Sequence, residues 1–432
     1  MQQTVRRKGK IFYGWVIVAV SSVIQAMAYG VYHSWPAFYV AILDESGWTR
    51  AHTALIFSTA SMVYGFSSVV VGALFDRFGP RKLFIPAAIV IAIGAVGCSQ
   101  SGALWQFCIF YGFFVGFGAC AAGFIPNIAM VSNWFSKRRA TALGIALVGT
   151  REAYFLVPLI QAGILALGWR SVYPLLAIAV ASTIIPLSLL LRARPQDMGL
   201  LPDGETKATV DNKREPAQAK RAIHIVDKKW ASTEWTLIRA IKEHRWWALL
   251  IIMVSSGFAV TSVLSHHMAM ITDLGFSDMF AAYLLTLFAV AAILGRFGSF
   301  FSDIFGREKV FTLASAGVIF ALTMVMSVKT TSAAWMLYVY IICLGFFSGM
   351  YIPAYSAAAA DLFQGKGFGA ILGLANIGYG MGGAIGTWLY GRIFDVTGSY
   401  HIAFVIAITF LCAQIMAMWV AAPRKVRLIT RK

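Results

Sequence analysis

Three charged side chains lie inside long apolar runs of this chain, where a charge is costly. Arg151 and Glu152 interrupt the run GIALVGTREAYFLVPLI, and Arg296 interrupts LLTLFAVAAILGRFGSFF. If the runs are helical, each charge lies about 10 to 17 Å from the nearest polar flank, at about 1.5 Å per residue. A charge at bilayer depth costs at least a few kcal/mol and normally faces a partner or a water-filled cavity. The pattern therefore predicts a pathway for a charged solute.

The two kinds of charge differ in their chemistry. An arginine presents a planar fork of donors that grips a carboxylate through two parallel hydrogen bonds, and it stays protonated under cellular conditions. Arg296 and Arg151 are therefore candidate ligands of an anion. Desolvation favours the neutral form of a glutamate, whereas a nearby arginine favours the ionised form. Glu152 is therefore a candidate proton carrier whose protonation responds to a substrate that competes for the arginine.

The elements that hold these residues are membrane helices. Of the 432 residues, 59% are hydrophobic and 12% are charged, whereas about a quarter of the residues in a soluble domain are charged. Twelve apolar stretches are each long enough to cross about 30 Å of hydrocarbon as a helix. We therefore predict an all-α integral membrane protein with twelve transmembrane helices, numbered here as spans 1 to 12.

Basic residues mark one side of the membrane. The formal net charge is +18, and the cations cluster before span 1, after spans 2, 4 and 8, and in the carboxyl-terminal tail. The opposite loops hold only scattered cations such as Arg50, Arg170 and Lys329. The positive-inside rule therefore places both termini in the cytoplasm. Because the cations are dispersed over membrane-flanking loops, no nucleic-acid partner is expected. The five cysteines show no metal spacing, and no metal or cofactor is predicted.

One long polar segment, residues 193–246, divides the chain. Residues 1–192 are predicted to form an amino-terminal bundle of six spans, and residues 247–432 a carboxyl-terminal bundle with a basic tail. Within the segment, the run TEWTLIRAIKEHRWW has apolar residues at helical spacing, which predicts an amphipathic helix on the cytoplasmic membrane surface. The alternative is a solvated linker with one helical turn before span 7.

The two predicted bundles repeat one another. The residues DRFG at 76–79, after span 2, match DIFG at 303–306, after span 8, at an offset of 227 residues. Pro126 in span 4 matches Pro353 in span 10 at the same offset. Parallel six-span repeats are the architecture of alternating-access carriers, whose substrate site lies between the halves near the midplane. The sequence therefore predicts two six-helix pseudo-repeat bundles around a central site.

The loop after span 2 resembles the signature loop of the major facilitator superfamily. Gly72-x3-Asp76-Arg77-x-Gly79-x-Arg81 follows the family spacing, and a weaker copy begins at Ser299, where glycine would be expected. Acidic and basic residues in so short a loop can form charge pairs that latch one conformation. The candidate latch residues are Asp76, Arg77, Arg81, Asp303 and Arg307.

A closer resemblance covers nearly the whole chain. The motifs YGWV at 13–16, GWTR at 47–50, NWFSKRRA at 133–140 and RPQDMGL at 194–200 are similar to those of the monocarboxylate transporters and the related bacterial oxalate/formate antiporter family. His266 together with TDLG at 272–275 fits the bacterial branch. The resemblance implies the major facilitator fold, and it implies that the span 8 arginine, Arg296, binds the substrate carboxylate.

The chain also departs from these families. Ala292 stands where the animal transporters carry an aspartate one turn before the span 8 arginine, and Ser34 stands where they carry a span 1 lysine implicated in proton coupling. Span 11 lacks the lysine that oxalate carriers use as a second cation. Arg151 is the candidate for the missing cation and Glu152 for the missing carboxylate. Spans 5 and 8 are neighbours across the interface of the resembled fold, so we expect one of these two residues to face the cavity and the other to lock the halves.

Other polar side chains within the spans are candidates that each have a structural alternative. His33 and His266 are candidates for proton coupling, but both lie near predicted span ends, where a histidine is more often solvated or hydrogen-bonded. Tyr351 and Tyr355 share one helix face and either line the cavity or pack as core aromatics. The remaining candidate substrate ligands are Asn127, Asn376 and Tyr379.

The resemblance and the buried charges together predict a secondary active transporter of a small organic monocarboxylate, coupled to protons. We expect a monomer in the inner membrane of a bacterium. The first alternative is an exchanger of oxalate/formate-like or other dicarboxylate anions. The second is multidrug efflux, which two membrane arginines disfavour because they repel cationic substrates. The sequence has no HExxH or GxSxG motif, so no enzyme is predicted.

Overall fold

The computed structural model describes residues 12–135, 138–146, 148–204, 223–328, 331–363 and 367–429. Among these residues, eleven helical segments are long and apolar enough to cross a membrane. The longest, Arg50–Gln100, contains two spans, because Gly79 adopts φ 73° and ψ 178° inside it and Pro80 cannot continue the preceding hydrogen-bond ladder. The structure therefore has the twelve spans that the sequence predicts.

The amino-terminal half contains spans 1 to 6. Several of its spans are built from more than one helix, because prolines and glycines interrupt them. The helices are Tyr13–His33 and Trp35–Ser46 for span 1; Arg50–Gln100 for spans 2 and 3; Leu104–Phe107, Cys108–Val115, Gly116–Ala121 and Phe124–Trp134 for span 4; Arg139–Ala146, Gly149–Glu152, Ala153–Leu156 and Val157–Leu167 for span 5; and Trp169–Leu190 for span 6.

The carboxyl-terminal half contains spans 7 to 12. Its helices are His244–Ser256, Gly257–Thr261 and Ser262–Asp273 for span 7; Asp278–Gly298 for span 8, continued by Ser299–Phe301 and Ser302–Phe305; Arg307–Met326 for span 9; Ala334–Leu362 for span 10; Phe368–Thr397 for span 11; and His401–Ala421 for span 12. Short helices outside the spans are Pro195–Met198, Pro202–Gly204, Lys228–Ser232, Leu237–Ile241, Thr331–Ala333 and Pro423–Lys425.

The repeat seen in the sequence is also a repeat of backbone geometry. Gly79 and Gly306, which are 227 residues apart, both have positive φ, 73° and 97°. Gly79 lies between spans 2 and 3, and Gly306 lies between spans 8 and 9. A side chain would be strained at this conformation, so the same turn is built with glycine in both halves.

Residues 223–246 of the polar segment pack against the carboxyl-terminal half. Strand Ile223–Ile225 pairs antiparallel with strand Arg427–Ile429 of the tail, which adds one small sheet to the predicted all-α fold. Trp230 donates a hydrogen bond from its indole nitrogen to the Leu362 carbonyl at 2.6 Å. These contacts attach both the segment and the tail to the same end of this half.

The run predicted as an amphipathic helix forms the short helix Leu237–Ile241, and its last four residues begin the separate helix His244–Ser256 of span 7. Trp235 precedes this helix and packs against Phe363, with ring centroids 5.1 Å apart, whereas Ile238 is 73% exposed. The apolar residues therefore do not share one face, because five helical residues are too few to carry the whole pattern. This stretch contains one short helix rather than a continuous amphipathic one.

The two halves meet along spans 2 and 11 and along spans 5 and 8. Spans 2 and 11 cross at Gly65 and Gly380, where a Cβ on Gly380 would lie 2.8 Å from the Gly65 Cα. Such close helix approach requires small residues.

Two names are used below for the ends of the bundle. The basic end is the end near residue 12 and the tail, and the distal end is the opposite end.

Candidate functional site

Span 5 is interrupted where its charged residues lie. The α-helical turn Gly149–Glu152 is followed by a 3₁₀ turn, Ala153–Leu156. Pro158 has no N–H to donate to the Tyr154 carbonyl, which instead accepts the 3₁₀-type hydrogen bond from the Val157 N–H. Gly149 brings the turn close to span 1, because a Cβ at this position would collide with the Ser22 carbonyl. The interruption thus holds the charged turn against span 1.

The two adjacent charges of span 5 face different neighbours. The Arg151 guanidinium carbon lies 5.3 Å from the centroid of the Phe288 ring on span 8, within the range of a cation–π interaction. Glu152 Oε2 accepts a hydrogen bond from the Ser22 hydroxyl of span 1 at 3.4 Å. No ion pair joins the two charges in the part of the chain that the structure describes. Arg151 therefore faces the opposite half, and Glu152 faces its own half.

Arg296 reaches span 5 from the opposite half. Its Nη2 donates a hydrogen bond to Thr150 Oγ1 at 2.7 Å. Arg151, the next residue along span 5, lies within electrostatic range of the Arg296 guanidinium. Gly295 allows span 8 to approach span 10, because a Cβ there would collide with the Phe346 carbonyl. The structure therefore brings Arg296 and Arg151 together on the interface between the halves, whereas Glu152 faces span 1.

A cleft of about 530 Å³ lies beside Arg296. It combines the guanidinium with phenyl rings, of which Phe297 is 74% and Phe300 52% exposed. Such a cleft suits an anion that also carries an apolar part. Its lining residues are Arg296, Phe297, Phe300, Ser302, Arg307, Pro353 and Ala357.

His33 lies in the middle of span 1, so its predicted place near a span end is wrong. The first helix of span 1 ends at His33, and a second helix continues the span because Pro36 interrupts the hydrogen-bond ladder. The imidazole is stacked between Tyr29 and Tyr154, with ring centroids 5.3 and 4.7 Å away. Its Nδ1 lies 3.2 Å from the Tyr154 hydroxyl. His33 therefore connects span 1 to span 5, two residues after the charged turn.

The sequence did not predict a charge cluster at the distal end. Arg50, in the first turn of span 2, donates two hydrogen bonds to the Asp273 carboxylate of span 7, at 2.7 and 2.6 Å. Asp395 of span 11 accepts hydrogen bonds from the backbone N–H groups of Arg50 and Ala51, both at 2.8 Å. The guanidinium also lies 3.6 Å from the centroid of the Phe394 ring. These contacts tie the two halves together at the distal end.

His266 belongs to this distal region and not to the surroundings of Arg296. Its Nε2 lies 2.8 Å from the Thr387 carbonyl, which can only accept, so Nε2 carries the proton. Its Nδ1 lies 3.3 Å from the Tyr400 hydroxyl, and that hydroxyl accepts a hydrogen bond from Arg50 at 2.5 Å. His266 therefore contacts the charge cluster through one tyrosine.

Three predicted ligands are buried within their own halves. Asn127 donates from its amide nitrogen to the carbonyls of Ala122 and Gly123, at 2.9 and 2.6 Å, where span 4 is broken. Tyr351 and Tyr355 are 0% and 2% exposed. In this conformation the structure brings none of the three to the cleft beside Arg296.

Two other predicted ligands lie on span 11. Asn376 and Tyr379 are both half-buried. Tyr379 lies within electrostatic range of Tyr29 and Tyr154, the two rings that enclose His33. Tyr379 directly precedes Gly380 and therefore lies at the crossing of spans 2 and 11.

The predicted latch residues form contacts within each half. Arg81 donates from Nε to the Leu191 carbonyl at 3.0 Å and also contacts the Leu189 carbonyl. Arg307 forms an ion pair with Asp361 at 3.1 Å and donates to the Ser302 hydroxyl at 2.7 Å. Asp76 and Arg77 are exposed, and the side chain of Asp303 lies outside the described part of the structure. Among the described residues, the Arg307–Asp361 ion pair of the basic end thus lies inside one half, whereas the Arg50–Asp273 ion pair of the distal end joins the two halves.

Comparison with known proteins places this arrangement in a family. The family model described as Major Facilitator Superfamily matches residues 18–300 and 267–432. The chain belongs to the major facilitator superfamily. It is therefore a multi-pass membrane transporter and not an enzyme.

Relatives and solved structures of this superfamily cover most of the chain. Monocarboxylate transporter 13 of Rattus norvegicus is 28% identical over 410 residues, which is 93% of this chain and 87% of the relative. Monocarboxylate transporter 7 of Homo sapiens is 23% identical over 342 residues, 69% of this chain and 64% of the relative. A bacterial homolog of the human lysosomal transporter Spinster, inward-facing and occupied, aligns with a TM-score of 0.69 and 14% identity over 96% of this chain and 98% of that one. The last likeness concerns the fold alone.

Proposed function

We propose that this major facilitator protein is a secondary active transporter that moves a small organic monocarboxylate by alternating access, with proton symport. The observation that carries the proposal is the position of Arg296. This arginine lies at bilayer depth on span 8, beside an open cleft, and it contacts Thr150 of the other half at 2.7 Å. A charge in this position is costly unless it binds a partner.

A carboxylate is the partner that fits an arginine at this site. The guanidinium offers paired donors with the geometry of a carboxylate fork, and the exposed phenyl rings beside it accommodate the apolar part of an organic acid. Two relatives that align with most of this chain are named monocarboxylate transporters. Arg151 is the second guanidinium of the site and faces the same interface.

Glu152 is the proposed proton carrier. It lies one residue from Arg151, on the side of span 5 that faces span 1, where Ser22 donates a hydrogen bond to it. A carboxyl group can lose and regain a proton, whereas an arginine cannot. In this proposal the acid binds at the arginines and the proton at Glu152, at adjacent positions of one interrupted helix.

The orientation follows from the charge distribution. The positive-inside rule places the basic end in the cytoplasm, so the distal end faces the outside. The similarity of His266 and TDLG to the bacterial branch supports a bacterial inner membrane. In this orientation the charge cluster of Arg50 closes the outer side while the cleft beside Arg296 lies toward the cytoplasm. A single chain contains both halves, and we propose that it acts as a monomer.

A second candidate function has one observation in its favour. Arg151 and Arg296 lie within electrostatic range of each other, and two neighbouring cations are best neutralised by two negative charges. This arrangement favours a dicarboxylate, exchanged against a second anion without a proton. The two functions differ in what drives net uptake.

Uptake into proteoliposomes separates the two candidates. The purified protein is supplied with radiolabelled short-chain, 2-oxo and 2-hydroxy monocarboxylates and with dicarboxylates. One set of vesicles has an inward proton gradient and no internal anion, and the other has internal anion and no gradient. Gradient-driven accumulation of a monocarboxylate in the first set supports symport. Uptake that requires internal anion, at any pH gradient, contradicts symport and supports exchange.

A further inference from the structure

The distal end carries a second set of charges that the transport site does not use. The Arg50 guanidinium and the Asp273 carboxylate form a two-point ion pair between spans 2 and 7, with side-chain exposures of 14% and 35%. Paired hydrogen bonds of this kind are stronger and more directional than a single contact. Because Arg50 lies in the amino-terminal half and Asp273 in the other, the pair can persist only while the distal ends of the two halves are together.

Asp395 makes a different contact with the same turn of span 2. The first N–H groups of a helix have no partner within the helix, and they form the positive end of its dipole. Thr49 caps span 2 locally by accepting a hydrogen bond from the His52 N–H. Asp395 satisfies the N–H groups of Arg50 and Ala51 from span 11, both at 2.8 Å. A helix start in one half is thus capped by a carboxylate from the other half.

The backbones are in close contact one turn away. A Cβ on Gly391, four residues before Asp395 on span 11, would lie 2.7 Å from the Arg50 carbonyl oxygen. A second seam of the distal end, between spans 5 and 8, is joined by a longer hydrogen bond of 3.4 Å from Gln161 to Asp278. The seam at span 2 therefore has the shorter and more numerous polar contacts.

We propose that Arg50, Asp273 and Asp395 form the gate that closes the distal side of the pathway. Asp273 holds the guanidinium, and Asp395 holds the start of span 2. Separation of span 2 from spans 7 and 11 of the other half breaks both contacts together, which makes closure all-or-none. The gate rests on the alternating access proposed above, and it assigns to these three residues a role in closure, distinct from contact with the substrate.

Distance measurement between spin labels tests the gate without any substrate. The five native cysteines are replaced by alanine, and labels are attached through Gly102→Cys in the amino-terminal half and Ser277→Cys in the other half. Both positions are exposed at the distal end, and a Cβ at Gly102 would meet no other atom within 4 Å. The full-length protein in lipid nanodiscs should show mainly the short, closed distance.

The isosteric variants Asp273→Asn and Asp395→Asn should each raise the ratio of open to closed distances by about tenfold or more, because each leaves a charge or a helix end without its partner. The exchanged pair Arg50→Asp with Asp273→Arg should restore part of the closed population. Glu45→Gln is the matched control, since Glu45 pairs with Arg170 at 2.8 Å within one half at the same end and should leave the distances unchanged.

The outcomes separate the gate from the proposed transport activity. Unchanged distance distributions in both asparagine variants, in protein that remains monodisperse and folded, would overturn the gate. So would an equal shift in Glu45→Gln, which would show a general effect of charge at this end. Failure of the protein to transport any organic acid would contradict the proposed function but would leave this distance measurement intact.

Discussion

Arg296 of span 8 and Thr150 of span 5 form a hydrogen bond of 2.7 Å between two helices that belong to different halves. The threonine hydroxyl supplies an uncharged acceptor to a guanidinium that a substrate carboxylate would otherwise neutralise. Arg151, the residue after Thr150, lies close enough to Arg296 to interact electrostatically with its guanidinium. The hydrogen bond between Thr150 and Arg296 therefore couples the position of the Arg296 guanidinium to the packing of the two halves.

Thr150→Val should destabilise the protein and slow transport. Valine keeps the shape of the side chain but removes the acceptor, which costs about 1.5–3 kcal/mol for a hydrogen bond to a charged group. Thr150→Ser keeps the hydroxyl and should behave nearly as the wild type. The checks are the Tm of the detergent-purified protein and the initial rate of uptake. If the valine and serine variants are equal in both, the hydrogen bond has no measurable role.

Glu152→Gln should impair proton-driven uptake more than exchange. Glutamine can still accept a hydrogen bond from Ser22, but it cannot release a proton. Gradient-driven accumulation and counter-anion exchange are measured on the same vesicles. Glu234→Gln, which changes an exposed glutamate of the polar segment, is the control and should leave both unchanged. Equal loss of both activities in Glu152→Gln would remove the reason for assigning the proton to this residue.

Gly149→Ala should be far more damaging than Gly144→Ala on the same span. A Cβ at Gly149 would collide with the Ser22 carbonyl of span 1, whereas nothing lies within 4 Å of a Cβ at Gly144. Forcing the spans apart should cost about 1–3 kcal/mol and displace the turn that carries the charges. Thermal unfolding and uptake give the two readouts. Wild-type stability of Gly149→Ala would show that spans 1 and 5 are not held this closely.

Much of the fold was predictable because membrane insertion imposes strong constraints on a sequence. The twelve apolar runs predicted the spans. The offset of 227 residues predicted a repeat, and the backbone has the same positive-φ glycine turn at both Gly79 and Gly306. Arg296 was identified because a charged side chain within an apolar run is energetically costly. These signals are local or periodic, so a single sequence contains them.

The contacts that sequence analysis missed are those formed between distant segments. Arg50 and Asp273 both occurred in motifs of the resembled family, but nothing in their spacing shows that they meet across the halves. His33 was placed near a span end, whereas span 1 continues beyond it as a second helix that ends at Ser46. Asn127 was interpreted as a ligand because it is a polar side chain within a span. Its nitrogen instead satisfies the two carbonyls freed by the break in span 4.

The central claim is that Arg296 binds the carboxylate that this protein transports. Arg296→Lys keeps the charge and removes the paired donors, whereas Arg392→Lys makes the same change at an exposed arginine of span 11. The most direct measurement is gradient-driven uptake of the best monocarboxylate by the two variants and the wild type, reconstituted at equal density. We predict that kcat/KM falls by at least about thirtyfold in Arg296→Lys and stays at the wild-type value in Arg392→Lys. Wild-type kinetics in Arg296→Lys would contradict the account.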